Sequence, residues 1–194
     1  KNKALAALQT FFGWFLNVYI EIFRGTPMIV QSMVIFYGSA QAFNISLDRT
    51  WAAIFIVSIN TGAYMSEIVR GGILAVDPGQ FEAATALGMT HGQTMRKVVL
   101  PQVVRNILPA TGNEFVINIK DTSVLNVISV VELYFTGNTV ATQNYQYFPT
   151  FTIIAVIYFV LTFTITRILR YIERRLDSDT YTTGANQMQV KEVK

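Results

Sequence analysis

The sequence predicts an all-α, polytopic membrane protein, and three observations carry that expectation. Charged residues make up only 14% of the 194 positions while 52% are hydrophobic, and mean hydropathy is +0.38. Soluble domains carry about 25% charged residues. Charge is also absent over long stretches: between Arg24 and Asp48, from Thr50 to Ser66, and from Leu133 to Thr166. A bilayer core of about 30 Å asks for about 20 mainly apolar residues as a helix, so each stretch holds or nearly holds one span. Finally, basic residues segregate. When the chain is threaded through four spans, only Arg49 and Lys120 of its 15 Lys and Arg residues fall on one side. The basic side of such a protein is cytoplasmic.

Residues 1–25 read as an amphipathic helix. Leu5, Leu8, Phe12, Phe15, Tyr19 and Phe23 recur at intervals of three and four. With Trp14 at headgroup level it is expected to lie at the cytoplasmic interface. A span is the alternative, because Ala4 to Ile20 is uncharged, but Gln9, Thr10 and Asn17 count against it. The chain opens on Lys-Asn-Lys without the pattern of a cleaved leader, and it is expected to lack an upstream span.

The membrane-spanning body is expected over 26–176. Its first span covers about 27–43, with Pro27 in a first turn where a missing N–H costs nothing. A polar loop, 44–50, leads to a second span at about 51–72, where Ser58, Gly62 and Ser66 permit close helix packing. A polar segment follows, with Asp77-Pro78-Gly79 as its turn signal. The third span, about 102–119, contains Pro109, Gly112 and Glu114. Residues 121–148 read as a mixed loop rich in Thr, Asn and Tyr. The last span, about 149–169, ends in Arg167, Arg170, Arg174 and Arg175. The polar tail, 177–194, is expected on the cytoplasmic side and poorly ordered.

Several chemistries are hard to build here. There is no cysteine, so disulfides and thiolate metal sites are excluded, and His91 alone makes no metal cluster. No G-x-x-x-x-G-K-[ST] run cradles ATP phosphates, and no nucleophile–base pair offers hydrolysis. No catalytic or metal residue is assigned, and no cofactor is expected on this chain.

Residues 77–101 carry the most informative pattern. Glu82-Ala83-Ala84, three residues, Gly88, nine residues, then Val98-Val99-Leu100-Pro101 resembles the "EAA" signature of ABC importer permeases, with Val98 standing for the usual Ile. In that family the segment docks into a groove on a cytoplasmic ATPase, so Glu82, Ala83, Ala84, Gly88, Leu100 and Pro101 are the expected coupling residues. The residue types fit short helices: the alanines favour helix, Glu82 suits a helix start, and Gly88 permits a stop. The run Tyr19-Ile20-Glu21-Ile22-Phe23-Arg24-Gly25-Thr26-Pro27 resembles that of polar amino acid permeases. So do Asn113-Glu114-Phe115 and Lys120-Asp121-Thr122-Ser123.

The resemblance covers nearly the whole chain. It implies a type I ABC importer transmembrane domain with a five-span core, of which four are present here. It further implies a cytoplasmic ABC ATPase dimer that holds ATP and Mg, a second permease subunit, identical or related, and an extracytoplasmic substrate-binding protein or fused domain. The solute would belong to the glutamine, glutamate, arginine or histidine class, and the complex would reside in a bacterial cytoplasmic membrane with the C-terminus inside.

Ionisable groups within a membrane are costly and face a cavity or a partner. Glu114, Asn118 and Asp121 share one helical face, as do Asn60, Tyr64 and Glu67. These six are the expected solute-pathway residues. Interhelical hydrogen bonding is the competing explanation, and for Glu67 a simple pair with Arg70. A carboxylate at Glu114 suits an α-amino group. Two other functions compete. An ion-coupled secondary transporter would use Glu114 as a proton site. A membrane-tethered DNA-binding regulator would use residues 83–96 as a helix-turn-helix, but that needs a basic face. Here only Arg96, Lys97 and Arg105 are available, so no nucleic acid partner is expected.

Overall fold

In the computed structural model the backbone is described for residues 3–192, and side chains for residue 3 and residues 6–175. Every regular element among them is helical: α1 (Lys3–Gly25), α2 (Met28–Phe43), α3 (Arg49–Leu74), α4 (Pro78–Ala86), α5 (His91–Thr94), α6 (Leu100–Asp121), α7 (Leu133–Asn144) and α8 (Tyr147–Glu192). A wide, π-type turn at Met95–Val99 joins α5 to α6, and a tight 3-10 stretch at Thr122–Ile128 follows α6.

Helices α3 and α8 meet the length and hydropathy of a membrane span, over Arg49–Leu74 and Tyr147–Arg175. So does Ala6–Gly25 of α1, the stretch expected to lie at the interface. Its aromatic and aliphatic residues outweigh Gln9, Thr10 and Asn17 over a full window. Conversely α2, expected to span at 27–43, has 16 residues, about 24 Å at 1.5 Å per residue, and is short for a 30 Å core. It ends where Asn44 turns left-handed at φ 53°. The run His91–Ile128 makes a further crossing only when paired with α7, across a 55° bend. Residues 121–148 are therefore not the expected loop but the 3-10 stretch plus α7. The expected disordered tail has a helical backbone to Glu192, though its side chains lie outside the described residues.

The chain divides into two compact units, and the divisions fall inside α3, α6 and α8. The first unit comprises Lys1–Ser66 and Ile117–Phe159. Its core packs Ala52, Ala53 and Ile56 of α3 against Leu125 and Ile128 of the 3-10 stretch, flanked by Met28, Ile35 and Phe36 of α2. A polar knot closes the α1–α2 corner. The Gln31 amide donates to the Phe23 and Thr26 carbonyls at 2.9 and 2.8 Å. Asn60 donates to Gln31 Oε1 at 2.9 Å and reaches the same Phe23 carbonyl at 3.3 Å. The last carbonyls of a helix lack intrahelical partners, and here buried amides supply them. The small-residue stripe of α3 receives an aromatic: the Tyr19 hydroxyl donates to the Ile59 carbonyl and would lie 3.0 Å from a Cβ on Gly62.

In the same unit Glu132 caps α7. Its carboxylate accepts from Tyr134 N–H and Phe135 N–H at 2.8 and 2.6 Å, and from the Tyr158 hydroxyl of α8 at 3.1 Å.

The second unit comprises Glu67–Val116 and Val160–Lys194. Its core is small: Val76, Val99 and Val103 are buried, packed with Ile73, Phe81, Met95 and Ile107. That cluster supports the α4–α5 segment.

Candidate coupling surface and solute-pathway residues

The 77–101 segment is a helical hairpin capped at both ends of α4 and at the start of α5, which runs on through the wide turn into α6. Asp77 opens α4, its side chain accepting from Gly79 N–H at 2.6 Å, with Pro78 in the first turn. At the other end Gly88 adopts φ +73°. Its N–H donates to Thr85 O at 2.9 Å, and Met89 N–H donates to Ala84 O at 3.1 Å. This pair of bonds is the Schellman arrangement, and it asks for a residue without a Cβ at the left-handed position. Thr90 then opens α5 with a reciprocal capping box: Gln93 N–H donates to Thr90 Oγ1 at 3.4 Å and Thr90 N–H to Gln93 Oε1 at 2.9 Å.

This geometry sorts the signature residues by face. Ala84 is buried, and Phe81 is half-buried against the valine cluster. Glu82, Ala83, Ala86 and Gly88 are exposed, and Leu87 is 82% exposed. A leucine that open, flanked by small residues on a rigidly capped corner, leaves a knob with nothing of its own chain to cover it. Leu100 and Pro101 are exposed at the start of α6. Next to them Gln102 donates to Val98 O at 2.9 Å and to Gln80 Oε1 at 3.4 Å, tying α4 to α6. Sequence reasoning read Asp77 as part of a turn, but missed its capping role, the exposed Leu87, the Thr90–Gln93 box and the Gln102 tie to α4. The Thr-x-x-Gln spacing was the available signal for the box; nothing local marked the exposure of Leu87 or the bond from Gln102 to Gln80.

The six expected pathway residues divide between the units. In the first unit Asn60 is buried and engaged with Gln31 and Phe23. Its neighbour Thr61 makes the α3–α6 contact instead, donating to Asn118 Oδ1 at 3.2 Å. Tyr64 is half-buried, with the Arg24 guanidinium 5.8 Å above its ring. Asp121 is exposed at the end of α6. In the second unit Glu67 pairs with Arg70 at 2.7 Å, and Glu114 is half-buried. No group of three His, Cys, Asp or Glu among the described residues could hold a metal ion.

Comparison with known proteins gives a consistent result. Residues 4–178 match the family model described as "Binding-protein-dependent transport system inner membrane component". The glutamine transport system permease protein GlnP of Escherichia coli (strain K12) is 41% identical over 173 residues, covering 87% of this chain and 79% of that one. The arginine transport system permease protein ArtQ of Bacillus subtilis (strain 168) is 37% identical over 178 residues, covering 91% and 81%. Among solved structures, an amino acid ABC transporter with histidines superposes with a TM-score of 0.78 at 45% identity, over 82% of this chain and 74% of that one. The inward-facing MetNI methionine ABC transporter superposes at 0.70 with 20% identity, over 82% of this chain and 73% of that one, a likeness of fold alone.

Proposed function

The chain belongs to the family of binding-protein-dependent transport system inner membrane components, and from that premise we propose that it is the permease subunit of an ATP-driven importer of polar amino acids. The solute is of the glutamine or arginine class, after the relatives that carry those names. ATP and Mg reside on a cytoplasmic ATPase dimer, a second permease subunit completes the passage, and a binding protein outside the membrane delivers the solute. This chain performs no ATP chemistry. The C-terminus and the 77–101 segment face the cytoplasm, in keeping with the arginines that close the α8 span.

The observation that carries the coupling role is the exposed corner of α4: Glu82, Ala83 and Leu87 are exposed on a corner where both ends of α4 and the start of α5 are capped. Such a corner transmits force because it is rigid, and its open leucine supplies the apolar anchor of a small interface. Ala84 is buried under it, Gly88 closes it, and Leu100 and Pro101 add exposed surface at the start of α6. For the solute itself each unit contributes separately: Glu114 supplies a carboxylate in the second, where Glu67 is held by Arg70, and Tyr64, Asn118 and Asp121 add polar and aromatic surface in the first. Asn60 serves them by holding the α1–α2 corner.

Reversing the charge at the corner tests the assignment. Glu82→Lys in the assembled transporter should leave basal ATP hydrolysis in place and lower its stimulation by solute-loaded binding protein about tenfold. Undiminished stimulation contradicts the docking role.

A further inference from the structure

In the second unit, two hollows lie side by side between α6 and α8. One, of about 200 Å³, is lined by polar groups of Asn113, Thr166, Arg170 and Glu173 around Gly112 and Leu169. The other, of about 300 Å³, is walled by Leu108, Phe115, Leu169 and Ile172, with Gly112 and Glu173 on the shared edge. A polar chamber opening beside an apolar one is the shape of a headgroup next to the start of its acyl chains. The depth is also right. Arg167, Arg170, Arg174 and Arg175 close the most apolar span and mark the headgroup level.

The charges on the chamber wall define the headgroup. Arg167 lies over the Phe163 ring at 4.9 Å and Arg175 over Tyr171 at 5.2 Å, so both run back along the helix. Arg170 is exposed at the polar chamber instead. Glu173, one turn on, is half-buried beneath it, its Oε1 3.5 Å from the point a Gly112 Cβ would occupy. Among the described residues no ion pair joins Arg170 to Glu173. The chamber therefore presents a cation and an anion side by side, which matches a ligand carrying a phosphate and a protonated amine. Its volume of about 200 Å³ is ample for the eight heavy atoms of a phosphoethanolamine group. A purely anionic headgroup would meet the Glu173 carboxylate, and a quaternary ammonium offers it no N–H.

We propose that the α6–α8 hollows form a phospholipid site that takes phosphatidylethanolamine: phosphate against Arg170, ammonium against Glu173, glycerol and first acyl methylenes in the apolar hollow.

The test uses the complete transporter, purified from membranes and placed in nanodiscs of equimolar phosphatidylethanolamine and phosphatidylglycerol, with retained lipid counted by native mass spectrometry. The wild type should retain phosphatidylethanolamine over phosphatidylglycerol about tenfold. Glu173→Gln should erase that preference, and Arg170→Gln should lower retention of both lipids. Added glycerophosphoethanolamine or free glutamine should displace neither lipid, because the chains contribute to binding. Equal retention of the two lipids by the wild type overturns the proposal, as does an unchanged profile in both variants. Displacement by the free headgroup or the free amino acid also overturns it, by assigning the chamber to a soluble zwitterion.

Discussion

Gly88→Val should lower solute-stimulated ATP hydrolysis by the assembled transporter at least tenfold, equivalent to about 1.4 kcal/mol of lost coupling free energy. The reason is conformational rather than steric. A Cβ at Gly88 meets no atom within 4 Å, but the residue sits at φ +73°. An L residue there costs about 1–2 kcal/mol, and a β-branched one fits worst. The helix end can relieve that strain only by breaking the Thr85 and Ala84 carbonyl bonds that close α4, which would turn Leu87 away from its partner. Gly88→Asn separates this cause from bulk, since asparagine tolerates the left-handed region. It should retain most of the stimulation while Gly88→Val loses it. Equal activity in both variants would show that backbone conformation at this corner does not matter.

Gly72→Ala should destabilise the protein more than any change on the exposed face of α4. A Cβ at Gly72 would lie 2.2 Å from Ile107 Cγ2 and 3.3 Å from Val103 Cγ1. The Ile107 methyl is attached at a β-branch whose χ1 is stiff in a helix, so it cannot swing aside as a chain end could. The helices must part, at an overpacking cost of about 2 kcal/mol, or about 4–8 °C in Tm for a chain of this size. Because Val103 and Ile107 belong to the small core beneath α4 and α5, coupling should fall together with stability. Adding Ile107→Ala to Gly72→Ala should recover part of the loss in Tm. Thermal unfolding of the single and double variants checks both statements, and no loss of Tm in Gly72→Ala contradicts the packing.

The parts legible in the sequence are those set by short-range chemistry. Asp77-Pro78-Gly79 marks a turn, and the structure makes it the cap and first turn of α4. Gly88 offers a helix stop, and it takes the positive φ of one. Charge-free stretches mark α3 and α8 as span-length apolar helices. The rest depends on partners far along the chain. Asn60 looks like a pathway polar group by helical spacing, yet it bonds to Gln31, twenty-nine residues away. No periodicity within α3 encodes that choice. Helix α7 is hidden by its Thr, Asn and Gln content. It forms because Glu132 caps it and Gly137 lets it press on α8, where a Cβ would overlap the tip of Ile154 at 1.9 Å. The wide turn at Met95–Val99 places Val99 in the valine cluster, a packing demand that helix propensity does not register.

Amino acid uptake into proteoliposomes is the most direct measurement of the central claim, that transport through this chain is driven by ATP on a partner docked at α4. The permease, its ATPase and its binding protein are reconstituted, with labelled glutamine or arginine outside and ATP enclosed. Uptake should require the enclosed ATP, persist when a protonophore dissipates the ion gradient, and fall about tenfold in Glu82→Lys. Uptake that proceeds without ATP and collapses with the protonophore would contradict the account and make Glu114 a proton site instead.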